Sequence, residues 1–110
     1  SVLAKSPLTG GVGESQSVGT FAPALKRSGI DALVVTGKSP KPVYLLIENG
    51  QVTIHEAMRL WGSGVADAHD DIVALEGPEV HTAIIGVAGE NRVRYASIVN
   101  DVRFMNCRTV

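Results

Sequence analysis

The sequence predicts an α+β fold, a mainly antiparallel or mixed β-sheet covered by two or three helices. Three observations carry that prediction. The first is a hairpin signal in "VYLLIENGQVTIHEA", where Asn49-Gly50 stands between two β-rich runs and suits a two-residue type I′ turn. The second is helical periodicity in "TFAPALKRSG" and "GVADAHDDIVALEGP". The third is the element order: strand, helix, three strands, helix, two strands, a mixture that suits a sheet with helices on one side.

Each element has a local cause. "SVLAK" is a short strand that enters the glycine-rich stretch "SPLTGGVGESQSVGTF". In the helix that follows, Thr20 is the expected N-cap, and Pro23 falls in the first turn, where its missing N–H does little harm. Phe21 and Leu25 share a face, and Gly29 supplies the left-handed stop behind Lys26 and Arg27. "DALVVTG" reads as a buried strand by its β-branched content. In the hairpin, a two-residue loop pairs Glu48 with Gln51, Ile47 with Val52, Leu45 with Ile54 and Tyr44 with His55. The apolar set Leu45, Ile47, Val52 and Ile54 is then the expected core side. "AMRLWG" is a helical turn carrying Leu60 and Trp61. The second helix should face inward with Val65, Ala68, Ile72 and Leu75 and end at Gly77-Pro78. "VHTAIIG" and "VRYASIV" are two more strands, joined by "VAGEN".

Composition narrows the function. At 110 residues the chain is one domain, spanning residues 1–110. With aromatics at 5 %, its core must be built from Val, Ile, Leu and Ala. A net charge of −1 gives no electrostatic case for nucleic acid or an anionic membrane. The longest apolar run, Val43 to Ile47, is too short to span a bilayer. No secretory h-region stands at the start of the chain, and a lone Cys107 forms no internal disulfide. Cytoplasm is the expected compartment.

Local motifs announce no catalytic site. "TGKS", Thr36 to Ser39, lacks the upstream glycine of a phosphate loop, and Pro40 and Pro42 forbid an early helix. Gly11 and Gly13 begin a G-x-G, but Gln16 stands where a dinucleotide fingerprint needs its third glycine. A glycine cluster taken alone is more often a turn system than a ligand cradle. His55, His69 and His81 have no partner at ligand spacing, so surface or half-buried roles are expected. Asp67, Asp70 and Asp71 read as the solvated face of a helix, Tyr44 and Trp61 as core or interface, and Cys107 as a packed thiol.

The order of phrases says more than any motif. "KSPLTG", then "GTFAPALKRSGIDALVVTGKSPKPVYLLIENGQV", "LWG", and "GVAGEN" followed by "RVRYASIVND" closely resemble the N-terminal domain of the tungsten- and molybdenum-pterin aldehyde ferredoxin oxidoreductases. The resemblance runs from Lys5 to Asp101. It implies a domain that supports a tungsto- or molybdopterin cofactor with a bridging Mg²⁺. Later domains carry the cysteine ligands of a [4Fe–4S] cluster, ligands absent here. The whole enzyme of such a family oxidises aldehydes to carboxylates and passes electrons to ferredoxin.

By the same resemblance, Gln16, Ser17, Val18 and Gly19 lie against the pterin phosphates, and Gln16 offers its backbone carbonyl to Mg²⁺. The family reads Asn-Ser-Gly-Gly there, so Val18 adds a β-branched side chain. After "ND" the family continues with a small-residue loop, where this chain has "VRFMNCRTV". Arg103 and Met105 occupy cofactor-facing positions of that loop. Two alternatives follow. The chain is an N-terminal domain of a pterin oxidoreductase, partnered by the C-terminal domains and by ferredoxin, and incapable of turnover alone. Or it is a degenerate stand-alone member, a non-catalytic interaction or oligomerisation module. In both, a face normally covered by cofactor and partner domains is exposed and favours self-association as a homo-oligomer.

Overall fold

A computed structural model describes residues 1–102 and the backbone of Phe104–Met105. The α+β class holds: antiparallel strand pairs and three helices, with the strands in three separate small sheets. Strands β1 (Val2–Lys5) and β2 (Val12–Ser15) pair from Val2–Ser15 to Lys5–Val12. The loop between them is wound on Ser6. Its buried hydroxyl accepts the N–H groups of Leu8 and Thr9, and its own N–H donates to the Gly11 carbonyl at 2.8 Å. A quarter of the glycine-rich stretch, Val12–Ser15, is a strand, which "VGES" with its low β-propensity did not reveal.

Helix α1 (Phe21–Arg27) starts at Thr20 as expected, yet the Thr20 side chain makes no capping bond. It is committed elsewhere, as described below. Gly29 follows the helix at φ +93°. The predicted strand over residues 31–37 does not form. Val34 is 84 % exposed, and no other described strand pairs with this segment. β-Branched content becomes a strand only where a neighbour supplies hydrogen bonds.

Strands β3 (Val43–Glu48) and β4 (Gln51–Glu56) adopt the predicted register, including Glu48–Gln51 and Tyr44–His55. Asn49 and Gly50 both take positive φ, the requirement of the tight turn. The expected core face is open instead: Leu45 and Val52 are exposed and Ile54 is 69 % exposed. On the opposite face Tyr44 stacks on His55, and its hydroxyl donates to Glu76 Oε1 at 2.5 Å. Beyond β4 the chain makes the predicted helical turn, with Trp61 N–H donating to the Ala57 carbonyl at 3.2 Å.

Helix α2 (Val65–Glu76) ends at Gly77, φ +105°. Ala68 is buried, and Val65 and Ile72 are half-buried as expected. Leu75 is 59 % exposed, so the inward stripe stops at Ile72. The last two predicted strands shrink to β5 (Ala83–Ile84) and β6 (Val99–Asn100), joined in one sheet by β7 (Phe104–Met105). The expected connector "VAGEN" instead contributes helix α3 (Gly86–Glu90). Gly86 enters this helix at φ +60°, a conformation that costs a side chain.

Among the described residues, the buried set is Ala57, Ala68, Gly86 and the polar Ser6, Ser15, Thr82 and Asn100. None of the larger apolar side chains is buried. The chain exposes 8055 Å², against roughly 5,800 Å² for a compact monomer of 11.6 kDa. The interior is half-built, and hydrogen bonds between elements carry much of the organisation.

The contact between α2 and α3 gives a direct check. A Cβ on Gly86 would stand 2.7 Å from Val65 Cγ2, at a positive φ as well. Gly86→Ala should cost about 1–3 kcal/mol, seen as a lower midpoint in urea unfolding. An unchanged midpoint would mean that α2 and α3 do not meet as described.

Candidate functional site

The site grows from the turn between β2 and α1, residues 16–20. Gln16 is exposed, with its amide on Glu14 Oε1 at 3.3 Å. Ser17 is half-buried. Its hydroxyl donates to the Val18 carbonyl and accepts from Asn100 Nδ2 at 2.7 Å. Val18 is 77 % exposed, so its β-branched side chain leaves the loop backbone open. Gly19 turns the chain at φ +119°, where glycine is preferred. Thr20 then donates its hydroxyl to Asp101 Oδ2 at 2.6 Å.

Asp101 is the hub of this arrangement. Oδ1 accepts the Thr82 N–H at 2.7 Å, Oδ2 also meets His81 Nδ1 at 3.0 Å, and its own N–H donates to the Thr82 carbonyl. Thr82 is in turn tied to helix α2, through a 2.9 Å hydrogen bond between its hydroxyl and His69 Nδ1. Burial pushes the Asp101 carboxyl up, but the hydrogen bonds from Thr20 and the Thr82 N–H, with His81 beside it, outweigh burial and hold it below the usual range. Asp101 and Val102 both have positive φ, which bends the chain from β6 into β7.

The predicted site residues therefore divide. Gln16, Ser17, Val18 and Gly19 form one continuous loop, and Asn100 joins it to β6. The backbone of Met105 lies in β7, paired with Val99 of the same sheet. Arg103 and Cys107 lie outside the described residues. Sequence reasoning passed over Asn100, Asp101, Thr82 and His81. The "ND" at the end of the matching phrases was the available signal; no local pattern links it to residues some eighty positions earlier.

The loop offers peptide groups rather than side-chain ligands. The Gln16 carbonyl makes no hydrogen bond to another described residue. No group of three or more His, Asp, Glu or Cys converges among the described residues. An exposed, sharply turned backbone with free N–H and C=O groups suits phosphate oxygens and a hard cation. The residues present fit the phosphate edge of a pterin cofactor with its Mg²⁺.

Comparison with known proteins gives the family of this fold. Residues 1–109 match the model of the aldehyde ferredoxin oxidoreductase N-terminal domain. The chain is 45 % identical over 101 residues to the tungsten-containing aldehyde ferredoxin oxidoreductase of Pyrococcus furiosus, covering 91 % of this chain and 17 % of that protein. The Thermococcus kodakarensis enzyme of the same name gives the same identity and coverage. The WOR-like subunit of an aliphatic sulfonate oxidoreductase from Pyrococcus furiosus is 35 % identical over 112 residues, which cover 90 % of this chain and 18 % of that protein. Among solved structures, the active site complex BamBC of benzoyl coenzyme A reductase superposes with a TM-score of 0.91 at 41 % identity. That match covers 97 % of this chain and 16 % of its counterpart. The chain belongs to the aldehyde ferredoxin oxidoreductase family, as an N-terminal domain. It spans about a sixth of the length of the relatives it matches.

The depressed Asp101 carboxyl fixes the sign of a pH effect. A group whose folded pKa is lowered stabilises the fold above its unfolded pKa, and that stability is lost as pH falls through the folded value. Asp101→Asn should therefore destabilise the chain by about 1–3 kcal/mol at neutral pH. The gap to the parent should close in acid, below the titration of both states. A constant gap from neutral to acid pH in urea titrations would show that the charge on Asp101 plays no part.

Proposed function

We propose that this chain supports the pterin cofactor of a tungsten- or molybdenum-dependent aldehyde:ferredoxin oxidoreductase. The Gln16–Gly19 loop receives the phosphate edge of the pterin, and the Gln16 carbonyl faces the bridging Mg²⁺. Arg103 and Met105, beyond the bend at Asp101 and Val102, belong to the second half of the cradle. When bound, the cofactor supplies the oxidation of aldehyde to carboxylate, with electrons leaving through a [4Fe–4S] cluster to ferredoxin. No residue of this chain is assigned a catalytic step. Its residues orient the loop, keep its peptide groups turned outward and hold the two halves of the cradle in register.

One observation carries this reading. Asn100 and Asp101 bind Ser17 and Thr20 across more than eighty residues of sequence, so the first loop is held against the segment that leads into the second. The C-terminal domains of the same enzyme are the partners that complete the site. No described helix is long and apolar enough to cross a membrane, and a single cysteine in the chain suits the reducing cytoplasm.

The enzyme that contains this domain, purified from a tungsten-supplemented host, should carry tungsten or molybdenum with pterin in stoichiometric amount, by elemental analysis and pterin fluorescence. Asn100→Ala, which releases Ser17, should lower that occupancy on the order of tenfold, the scale seen when groups that orient metal ligands are removed. Folded protein with neither metal nor pterin would overturn the reading and leave the non-catalytic module.

A further inference from the structure

A groove of about 700 Å³ is walled by α1, strand β3, the turn at Trp61, α2 and residues 79–86. Its lining is largely apolar and includes Leu46, Leu60, Trp61, Ile72 and Ile85. Four carboxylates, Glu48, Glu76, Glu79 and Glu90, line it, and neither lysine nor arginine does; the one histidine there, His81, is taken up by Asp101. Two of these carboxylates are held by neutral donors, Glu76 by the Tyr44 hydroxyl and Glu90 by the Gly62 N–H. None of the four has a cationic partner among the described residues. The whole chain carries 10 basic and 11 acidic side chains, so this acidity belongs to the groove and not to the molecule.

An apolar channel of this size left open to water is costly, and an acidic lining selects what covers it. A second copy seated by a two-fold axis would set the same four glutamates against each other, which repels. We propose that the groove seats a polypeptide segment from the remainder of the enzyme, with apolar side chains flanked by lysine or arginine. This rests on the chain being one domain of a longer family enzyme. None of the groove-lining residues belongs to residues 16–20, and the two sites meet only through His81 and Thr82, which bond Asp101.

Trp61, the single tryptophan of the sequence, is 52 % exposed in the groove and reports its filling. The 110-residue chain is titrated with two amphipathic peptides of equal length, one of leucine and lysine, the other of leucine and glutamate. The lysine peptide should shift Trp61 emission to the blue and bind about tenfold more tightly at low salt, the difference shrinking as salt screens it. Glu48 and Glu79 make no hydrogen bond to another described residue through their side chains. The double variant Glu48→Gln, Glu79→Gln should therefore keep the helical far-UV signal while losing most of the discrimination. Equal affinity for both peptides, no emission shift with either, or discrimination untouched by the double variant would each overturn the proposal. So would a blue shift that grows with protein concentration alone, which would assign the groove to a second copy. Metal and pterin content reads the other site, so the two readings fail separately.

Discussion

The Asp101 carboxylate is the tie on which the organisation of this domain depends. It accepts from the hydroxyl of Thr20 at the head of α1 and from the Thr82 backbone beside β5, with His81 against it. Through Thr82 and His69 the same chain of bonds reaches α2. Elements far apart in sequence are thereby fixed by directed hydrogen bonds, in a protein whose larger apolar side chains are all at least partly exposed among the described residues. Charge-assisted bonds of this kind are short and geometrically selective. They can hold a loop in one shape where a thin hydrophobic core cannot. Thr20 illustrates the cost. Its side chain gives up the ordinary capping role to serve the clamp.

The functional consequence is local. Residues 16–20 are held to the end of β6 by side-chain hydrogen bonds and not by burial. Ser17 and Thr20 are the two points at which residues 16–20 are held, and both partners come from the same dipeptide, Asn100-Asp101. Val18, the departure from the family pattern, sits between those points with its side chain exposed. The Val18 side chain therefore takes no part in anchoring the loop.

The rest of the molecule shows the same incompleteness from another side. Its apolar residues line an open groove rather than a closed core, and the β-branched run at residues 31–37 has no strand beside it. Both features belong to a domain that spans a sixth of its relatives. The groove also gathers four glutamates and neither lysine nor arginine, in a chain whose acidic and basic side chains are nearly balanced overall.

Much of this was legible in the residues. The hairpin register followed from Asn49-Gly50 and the apolar alternation, since a two-residue turn admits one pairing. The first two helices followed from periodicity and their glycine stops, and the family from the order of phrases along the chain. Strand β2 escaped notice because "VGES" pairs only when β1 lies beside it, and helix α3 because a five-residue helix has too few positions to show a period. The direction in which the hairpin faces, the exposure of Leu75 and the failure of residues 31–37 to form a strand depend on which neighbours are present. Local propensity does not contain that information. The Asn100–Ser17 and Asp101–Thr20 bonds likewise have no signature in sequence spacing. They exist because the folded chain brings the two segments within hydrogen-bond distance.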